Sequence, residues 1–280
     1  MILITTAGKV GTEAALQLRQ QEVPVRVLAR DPEKAKALAD AGAEIVIGDL
    51  DEAASIDAAM AGVTAVILVS PAVPAQELGV VRSAARAGVG HIVKASSKAS
   101  ADSPIARRRW QAEIEAGLAA SGVPHTVLRS NGYMQNTLAL GPAIAKTSGF
   151  GSSAGRGLIG MVDARDVGAV AARIAAAPAA HAGQTYWLSG PELITNGDIA
   201  AVLSKLLGRT IGYRELSFDD DRDAMIAAGV PAPIATMNAL AATLNATGDA
   251  AWTSEDAASL LGRPARSFER FAADYAAAFS

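Results

Sequence analysis

Short apolar runs alternate with longer amphipathic stretches along the first two thirds of the chain. Runs that stay apolar at consecutive positions predict strands buried on both faces, as in a parallel sheet covered by helices. These runs lie at residues 2–5, 25–29, 44–47, 65–69, 91–95, 126–128 and 184–189. The stretches between them predict helices over residues 12–21, 32–41, 52–61, 73–87, 104–120 and 164–177. This order predicts an α/β fold with a doubly wound parallel sheet.

The pattern changes after residue 129. Residues 146–160 are rich in glycine and serine and predict a mobile loop, and residues 195–280 are mostly helical apart from a short strand at 211–215. We therefore predict a core over residues 1–155, to which strand 184–189 returns. Residues 156–280 are predicted to form a smaller, mostly helical C-terminal lobe that acts as substrate lobe and lid.

The first predicted strand joins the first helix through a turn that contains Gly8 and Gly11. Such a turn presents backbone N–H groups and a helix N-terminus to a pyrophosphate, which predicts the dinucleotide site of a Rossmann fold. The usual fingerprint has three glycines, whereas Thr5 and Thr6 stand here before Gly8. Thr6 either offers its hydroxyl to a phosphate or fits a tighter turn, and the alternative for the whole segment is a turn that binds nothing. The predicted cofactor residues here are Thr6, Gly8, Lys9, Val10 and Gly11.

The end of the second strand predicts which nicotinamide cofactor binds. A carboxylate there accepts hydrogen bonds from the ribose 2′-OH, whereas an arginine accommodates a 2′-phosphate. The strand ends at Arg30, and Lys34 follows one helical turn later, which favours NADP(H). The alternative for Arg30 is a solvated surface charge. Asp31 can serve a ribose, but an aspartate followed by Pro32 is typical of a helix N-cap.

The carboxyl ends of the next three strands supply the other predicted cofactor residues, because ligands bind at that edge of such sheets. Asp49 either binds the adenine amine or caps the following helix, a role that Asp51 can also take. The loop after the fourth strand is expected near the nicotinamide ribose, and the end of the fifth strand near the reacting ring. The predicted residues are Asp49, Leu50, Ser70, Pro71 and Ser96.

No strong proton donor is evident. Short-chain dehydrogenases use a tyrosine with a lysine four residues later, which lowers the pKa of the tyrosine. The residues at that spacing after the four tyrosines are Thr137, Gly190, Ser217 and Phe279. His91 and His125 are expected at the amino edge of the sheet, away from ligands, and His181 in a loop. Without cysteines or clustered histidines, no metal site is expected.

Hydride transfer without a strong acid requires an acceptor that is already electrophilic, such as a quinone, an azo dye or a cationic dye. Tyr133 is one candidate catalytic residue, with an aromatic wall as its alternative role, and Lys98 is the other, since its ammonium can hold developing negative charge. The predicted substrate residues are Asn131, Tyr133, Met134 and Asn136. Residues 107–109 are three arginines, interpreted as a solvated helix face rather than an anion site.

Composition narrows the class of partner. The net charge of −3 argues against nucleic acid, which requires a basic surface. The absence of cysteine fits a reducing compartment, no apolar run is long enough for a bilayer, and no signal peptide is apparent. We expect a cytoplasmic protein, a monomer or homodimer, that binds a small aromatic substrate and neither nucleic acid nor membrane.

Several segments resemble the NmrA-like proteins, an atypical branch of the short-chain dehydrogenases. They are residues 2–11, 30–35, 48–50, 96–97, 110–113, 128–136, 162–167 and 188–192, with further likeness at 261–264 and 267–269. Within that family the chain looks most similar to the bacterial flavin-independent reductases of azo compounds, quinones and triphenylmethane dyes.

The resemblance implies a Rossmann core with a small substrate lobe, NADP(H) as the cofactor and bulky aromatic acceptors. Two features depart from the family pattern: the glycine turn is short, and Gln111 stands where relatives often carry histidine. We predict an NADPH-dependent, flavin-independent oxidoreductase acting on azo compounds or quinones. The alternative is a regulatory protein that senses NADP(H) without turnover.

Overall fold

The computed structural model describes residues 1–280 and contains nine strands. They are β1 (Ile2–Ile4), β2 (Val25–Ala29), β3 (Glu44–Ile47), β4 (Ala65–Leu68), β5 (His91–Ser97), β6 (His125–Ser130), β7 (Gly149–Ser152), β8 (Thr185–Leu188) and β9 (Gly212–Glu215). Seven of them form one sheet in the order β3-β2-β1-β4-β5-β6-β8. The predicted strands of the sheet are therefore confirmed.

The pairs from β3 to β6 are parallel. Val127 N–H donates to Gln184 O and Asn131 N–H donates to Leu188 O, so the bonds advance in the same direction along both chains and β8 is parallel as well. The connection from β3 to β4 crosses β2 and β1, so the strand order reverses between β1 and β4. Open α/β sheets bind ligands at the carboxyl ends of strands beside such a switch point.

The structure contains twelve α-helices. They are α1 (Lys9–Gln20), α2 (Pro32–Asp40), α3 (Ala53–Ala59), α4 (Pro74–Ala87), α5 (Ala106–Ala120), α6 (Gly141–Thr147), α7 (Ala164–Ala176), α8 (Asn196–Leu207), α9 (Phe218–Ala227), α10 (Ala232–Ala246), α11 (Asp256–Leu261) and α12 (Phe268–Asp274). The predicted doubly wound α/β fold is confirmed. None of these helices combines the length and the apolar character needed to span a membrane.

The chain forms two compact units. The first contains Met1–Ser130, Ala164–Trp187 and Ser259–Gly262, and the second contains Asn131–Asp163, Leu188–Ala258 and Arg263–Ser280. The sequence predicts a single division of the chain, at residue 155. In the structure the chain leaves the first unit after Ser130 and returns to it at Ala164, where α7 begins.

The prediction of a mobile loop over residues 146–160 is wrong for part of that segment. Gly149–Ser152 forms β7, which pairs in parallel with β9. Glycine is required in β7 for close packing, because a Cβ at Gly149 would lie 2.9 Å from Gly212 O and one at Gly151 would lie 2.7 Å from Leu216 Cδ1. The glycines that suggested flexibility therefore permit close contact between the two strands.

The position of α1 is fixed by close packing against α7 within the first unit. A Cβ at Gly168 of α7 would lie 2.7 Å from Glu13 Cβ and 2.8 Å from Val10 O, so only glycine fits this approach. Val10, Ala14, Ala15 and Leu18 line the buried face of α1. This packing holds the first turn of α1 at the carboxyl edge of the sheet.

A histidine is buried at the opposite, amino edge. His91 begins β5, and its Nε2 lies 2.9 Å from the hydroxyl oxygen of Thr126. That hydroxyl donates its proton to His181 O at 2.7 Å, so it accepts from His91, whose neutral ring is the Nε2–H tautomer. Burial lowers the pKa of His91, and the nearby His125 and His181 lower it further.

We predict that the free energy of unfolding falls as the pH is lowered through about 6.5, the ordinary pKa of histidine. Below that pH the unfolded chain binds a proton that folded His91 resists, so the contribution is present above about 6.5 and lost towards the lower folded pKa. Urea unfolding from about pH 7.5 to about pH 5.5 measures the slope. His91→Gln keeps an N–H donor but does not titrate, so its slope should be shallower. Equal slopes in the two proteins would contradict the assignment.

Candidate functional site

The turn after β1 is bound to the end of β4 by two threonine hydroxyls. Thr5 Oγ1 donates to Val69 O at 2.7 Å and accepts from Val69 N–H at 2.9 Å, so its side chain continues the pairing of the two strands. Thr6 Oγ1 donates to the same carbonyl at 3.0 Å. Of the two roles weighed for Thr6, this bond supports the tighter turn, and the hydroxyl oxygen keeps its lone pairs.

The two glycines of this turn have different environments. A Cβ at Gly11 would lie 2.0 Å from Thr6 O, so the turn itself requires glycine there. A Cβ at Gly8 would meet only Thr6 Oγ1, at 3.7 Å, so nothing in the protein requires glycine at this exposed N-cap. Gly8 offers no side-chain cap, and the first N–H groups of α1 lie open beside it. This arrangement fits a pyrophosphate that must approach the backbone closely.

Lys9 is the first residue of α1 and adds positive charge at the turn. The residue as a whole is exposed, yet the protein atoms around its ammonium lower its pKa by partial desolvation. Val10, the other predicted cofactor residue in this helical turn, has its side chain in the core, so only its backbone N–H is available to a ligand.

Arg30 follows β2 directly and is exposed, and its guanidinium makes no hydrogen bond or ion pair. Arg26, on the same strand, binds Glu44 and the carbonyls of Ala59 and Ala61. Of these two arginines, Arg30 is therefore the one whose guanidinium has no partner within the protein.

Asp31 acts as the N-cap of α2. Its Oδ1 accepts from Glu33 N–H at 3.0 Å, as the residue pair Asp31–Pro32 predicts. Its other oxygen lies 3.7 Å from Lys34 Nζ. Both side chains are exposed, so this pair is weak, and the role of Lys34 beside Arg30 stays a prediction.

The end of β3 is a tight turn. Asp49 Oδ1 accepts from Asp51 N–H at 3.0 Å, and Gln76 donates to Asp51 at the same distance. Neither aspartate caps α3, whose N-cap is Glu52 without a side-chain cap bond. Asp49 is therefore held by its own turn with one carboxylate oxygen left, while Leu50 is buried in the core beneath it.

The loop after β4 has a constrained conformation. Ser70 Oγ donates to Glu77 Oε1 at 2.6 Å and accepts from Ala72 N–H at 3.1 Å. Ala72 has a φ of 64°, a region that alanine rarely adopts. Glu77 is completely buried and pairs with the completely buried Lys94 at 2.7 Å. Sequence reasoning selected Ser70 and Pro71 but missed the two charged residues behind them.

A signal for that pair exists in the sequence. Lys94 interrupts an otherwise apolar strand, and Glu77 lies on the same helix face as Val80, Val81 and Ala84. A charge at a core position of an apolar pattern requires a partner of opposite charge. Applied to both elements, that rule predicts that the two side chains meet.

The end of β5 contains a second buried polar group. Ser96 is buried, and its hydroxyl lies 2.5 Å from Glu115 Oε1 and 3.2 Å from Gln111 Oε1 on α5. Glu115 also binds Arg129 of β6 at 2.5 Å, and the Arg129 guanidinium stacks 5.2 Å from the Trp187 ring centroid. The side chain of Ser96 is thus directed at α5, and the role of Ser96 in cofactor binding stays a prediction.

Lys98 and the arginine triplet lie after β5 and at the start of α5. Arg109 donates to Ser103 O and Pro104 O and closes the loop before the helix. Arg107 and Arg108 are half-buried, so they are not the solvated face that the sequence predicted. Burial lowers the pKa of Arg107, and the charge of Arg108 lowers it further. Lys98 is half-buried as well, and its predicted role stays a prediction.

The predicted substrate residues follow β6 and belong to the second unit. Asn131 donates to Ala250 O and Trp252 O and accepts from Gly132 N–H, so its side chain is occupied within this unit. Met134 is 1% exposed and belongs to the apolar core. Tyr133 is half-exposed and precedes a 3-10 helix, and Asn136 is exposed. Asn131 is half-buried like Tyr133, so Asn136 is the fully exposed member of the set.

Comparisons with known proteins identify a family and relatives that span the chain. The model of the NmrA-like family matches residues 1–272. The NAD(P)H azoreductase of Xenophilus azovorans is 33% identical over 284 residues, which cover 100% of this chain and 99% of that protein. The (4-alkanoyl-5-oxo-2,5-dihydrofuran-3-yl)methyl phosphate reductase of Streptomyces griseus is 40% identical over 287 residues, which cover 100% and 99%.

Solved structures share the fold over the whole length. The NADPH-dependent quinone oxidoreductase of Escherichia coli, complexed with NADPH, has a TM-score of 0.88 at 30% identity and 99% coverage of both chains. The triphenylmethane reductase of Citrobacter sp., complexed with NADP(H), has a TM-score of 0.83 at 26% identity, with 96% and 98% coverage. The family match, the relatives of equal length and the common fold together show that this chain belongs to the NmrA-like family of NAD(P)H-dependent oxidoreductases.

Proposed function

We propose that this protein transfers hydride from NADPH, without flavin, to an electrophilic acceptor such as a quinone or an azo compound. The observation that carries the proposal is the unpaired, exposed guanidinium of Arg30 at the end of β2, beside a glycine turn open to a pyrophosphate. Two relatives named for azo and quinone reduction span the chain with 30% identity or more. Two solved relatives are complexes with NADPH or NADP(H).

The residues present fit NADPH in three places. The N–H groups at the start of α1 and the open face of Gly8 suit the pyrophosphate. Arg30 and Lys34 suit a 2′-phosphate, because a planar guanidinium binds it with two donors and the ammonium adds charge. Ser70 and the loop after β4 suit the nicotinamide half, since β4 lies beside β1 at the switch point. The chemistry of the bound cofactor is donation of a hydride from its dihydronicotinamide ring.

The tyrosines support an acceptor that needs little acid catalysis. Tyr186 is hydrogen-bonded to His181 Nδ1 at 2.9 Å, and the Tyr213 hydroxyl lies 2.9 Å from Gly155 O and 3.2 Å from Ser152 O. Tyr275 packs against Phe271 in an aromatic cluster. Tyr133 follows the last residue of β6 by three positions, which keeps its Cα within about 11 Å of that strand end. It is the tyrosine we assign to the substrate.

A second candidate substrate class is an acyl butenolide that carries a phosphate. The relative from Streptomyces griseus, 40% identical over the whole chain, is named for reduction of such a compound. Its ring double bond is conjugated to two carbonyl groups, so it is also strongly electrophilic. Lys98, Arg107 and Arg108 are three half-buried cations close together in the sequence, and the first turn of α5 has no acidic residue. Cations at a helix N-terminus oppose the helix dipole and favour a nearby anion.

We predict that NADPH binds at least about tenfold more tightly than NADH, because a charge-assisted contact to phosphate is worth about 1.5–3 kcal/mol. Arg30→Ala should remove most of this preference and leave the affinity for NADH nearly unchanged. Titration of both cofactors by fluorescence measures it. Arg82→Ala removes another exposed, unpaired arginine, from α4, and serves as the control. Equal affinities of the wild-type protein for the two cofactors would reject this assignment.

For Tyr133 we predict a wall rather than an acid. Tyr133→Phe should keep most of kcat, whereas Tyr133→Ala should raise KM for a flat acceptor, since stacking area is lost. Steady-state oxidation of NADPH with a quinone and an azo dye measures both constants. A general acid contributes about 10²–10⁴-fold in rate, so a fall of that size in kcat for Tyr133→Phe would overturn this role. Purified protein that carries bound flavin would overturn direct hydride transfer.

The phosphate-bearing substrate class has its own test. If the cations bind a phosphate, KM for a phosphorylated acyl butenolide should be about tenfold lower than for the matching alcohol. Arg107→Gln should raise KM for the phosphorylated compound alone, and a quinone without a charge should react as in the wild type. Equal KM values for the phosphate and the alcohol would exclude this class.

A further inference from the structure

The least expected feature of the first unit is an ion pair inside the parallel sheet. Lys94 lies in the middle of β5, level with Leu68 of β4 and Val127 of β6, and its side chain is 0% exposed. Glu77 of α4 is also 0% exposed, and its Oε2 lies 2.7 Å from Lys94 Nζ. The ammonium donates to Ala95 O at 2.6 Å. Two apolar residues of similar volume commonly stabilise such a site as well or better, so stability alone does not explain the pair.

The carboxylate connects this pair to the loop after β4. Oε2 makes the ion-pair contact with Lys94, and the carboxylate accepts a hydrogen bond through Oε1, from Ser70 at 2.6 Å. Burial lowers the pKa of Lys94, and the charge of Glu77 opposes that shift.

The hydroxyl of Ser70 in turn holds a strained residue. It accepts from Ala72 N–H at 3.1 Å, and Ala72 has a φ of 64° and is buried. A residue with a Cβ stays in this left-handed region only where its surroundings hold it there. The chain of contacts therefore runs from Lys94 through Glu77 and Ser70 to the backbone of Ala72.

This loop is also attached to the glycine turn. Val69 O accepts hydrogen bonds from the hydroxyls of both Thr5 and Thr6. The glycine turn, assigned to the pyrophosphate, and the loop after β4, assigned to the nicotinamide half, are therefore joined at this carbonyl. A buried charge is poorly placed to take part in chemistry at the surface of the sheet edge. It is well placed to fix the backbone on which a cofactor rests.

We propose that Glu77, held by Lys94, is a positioning residue that fixes the loop of residues 69–73 against the nicotinamide half of NADPH. This rests on the proposed NADPH-dependent function. Its consequence is kinetic: misplacing the ring by about 1 Å can cost about 10²-fold in rate. Affinity should change far less, because the pyrophosphate and the 2′-phosphate are bound by other residues.

The decisive variant replaces both charges, Glu77→Leu with Lys94→Met. An apolar pair should leave the unfolding midpoint near or above that of the wild type, whereas the acceptor for Ser70 is gone. We expect kcat with a quinone to fall about tenfold or more, with the dissociation constant for NADPH changed less than about threefold. Ser70→Ala, which keeps the ion pair, should show the same split.

Ser83→Ala is the matched control. Ser83 is buried on α4 and donates to a carboxylate, Asp57, but has no bond to the loop after β4. Its loss should lower the unfolding midpoint and leave kcat unchanged. A stable double variant with wild-type kcat, or a Ser83→Ala variant as slow as Ser70→Ala, would overturn the proposal.

A measurement that does not depend on turnover tests the role of Glu77 separately from the proposed reaction. The fluorescence of bound NADPH reports the surroundings of the dihydronicotinamide ring, so it should shift towards that of free NADPH in the double variant and in Ser70→Ala, but not in Ser83→Ala. Wild-type protein that binds NADPH but reduces no acceptor would reject the reaction alone, and the fluorescence would still decide the role of Glu77. Identical spectra of bound NADPH in all variants would reject the positioning role. A wild-type protein that binds no NADPH would reject both.

Discussion

The pairing of Thr5 with Val69 is the contact on which the candidate site depends. β1 ends at Ile4 and β4 ends at Leu68. The Thr5 hydroxyl donates to Val69 O and accepts from Val69 N–H, which extends the pairing beyond the last residues of both strands. From this point the chain continues as the glycine turn on one side and as the loop of Ser70 on the other. A threonine where the usual fingerprint has its first glycine thus replaces backbone freedom with a fixed junction.

The fold could be predicted because its determinants are local. Apolar runs, helical spacing and glycine stops each lie within a few residues, and all of them indicate the same alternation of strand and helix. The failure at β7 has a physical reason. Glycine in a sequence is read as flexibility, but Gly149 and Gly151 are required because the neighbouring strand and Leu216 approach so closely, and that neighbour lies about sixty residues away in the sequence.

For the candidate site residues, the strand ends could be predicted from the sequence, but the directions of their side chains could not. Sequence reasoning placed these residues at the carboxyl ends of the strands, and the structure divides them by what their side chains contact. Arg30 is unpaired while Arg26 is bound to Glu44; the Ser96 hydroxyl is directed at α5; Met134 is buried in the core. Partners such as Glu115 lie on other elements, so no spacing along the chain reveals them.

Two charged pairs of the first unit support a loop and a strand end rather than face a ligand. Lys94 and Glu77 lie fully buried beneath Ser70, and Arg129 and Glu115 lie partly exposed beside Ser96. A chemistry that relied on a side-chain acid would need an unpaired titrating group at the sheet edge, whereas these four charges are paired. Hydride transfer to an electrophilic acceptor depends instead on the distance and angle between donor and acceptor. Paired charges suit that requirement, because each hydrogen bond between a carboxylate and a serine restricts the backbone conformation at that serine. The paired groups hold the backbone in place and do not serve as proton donors.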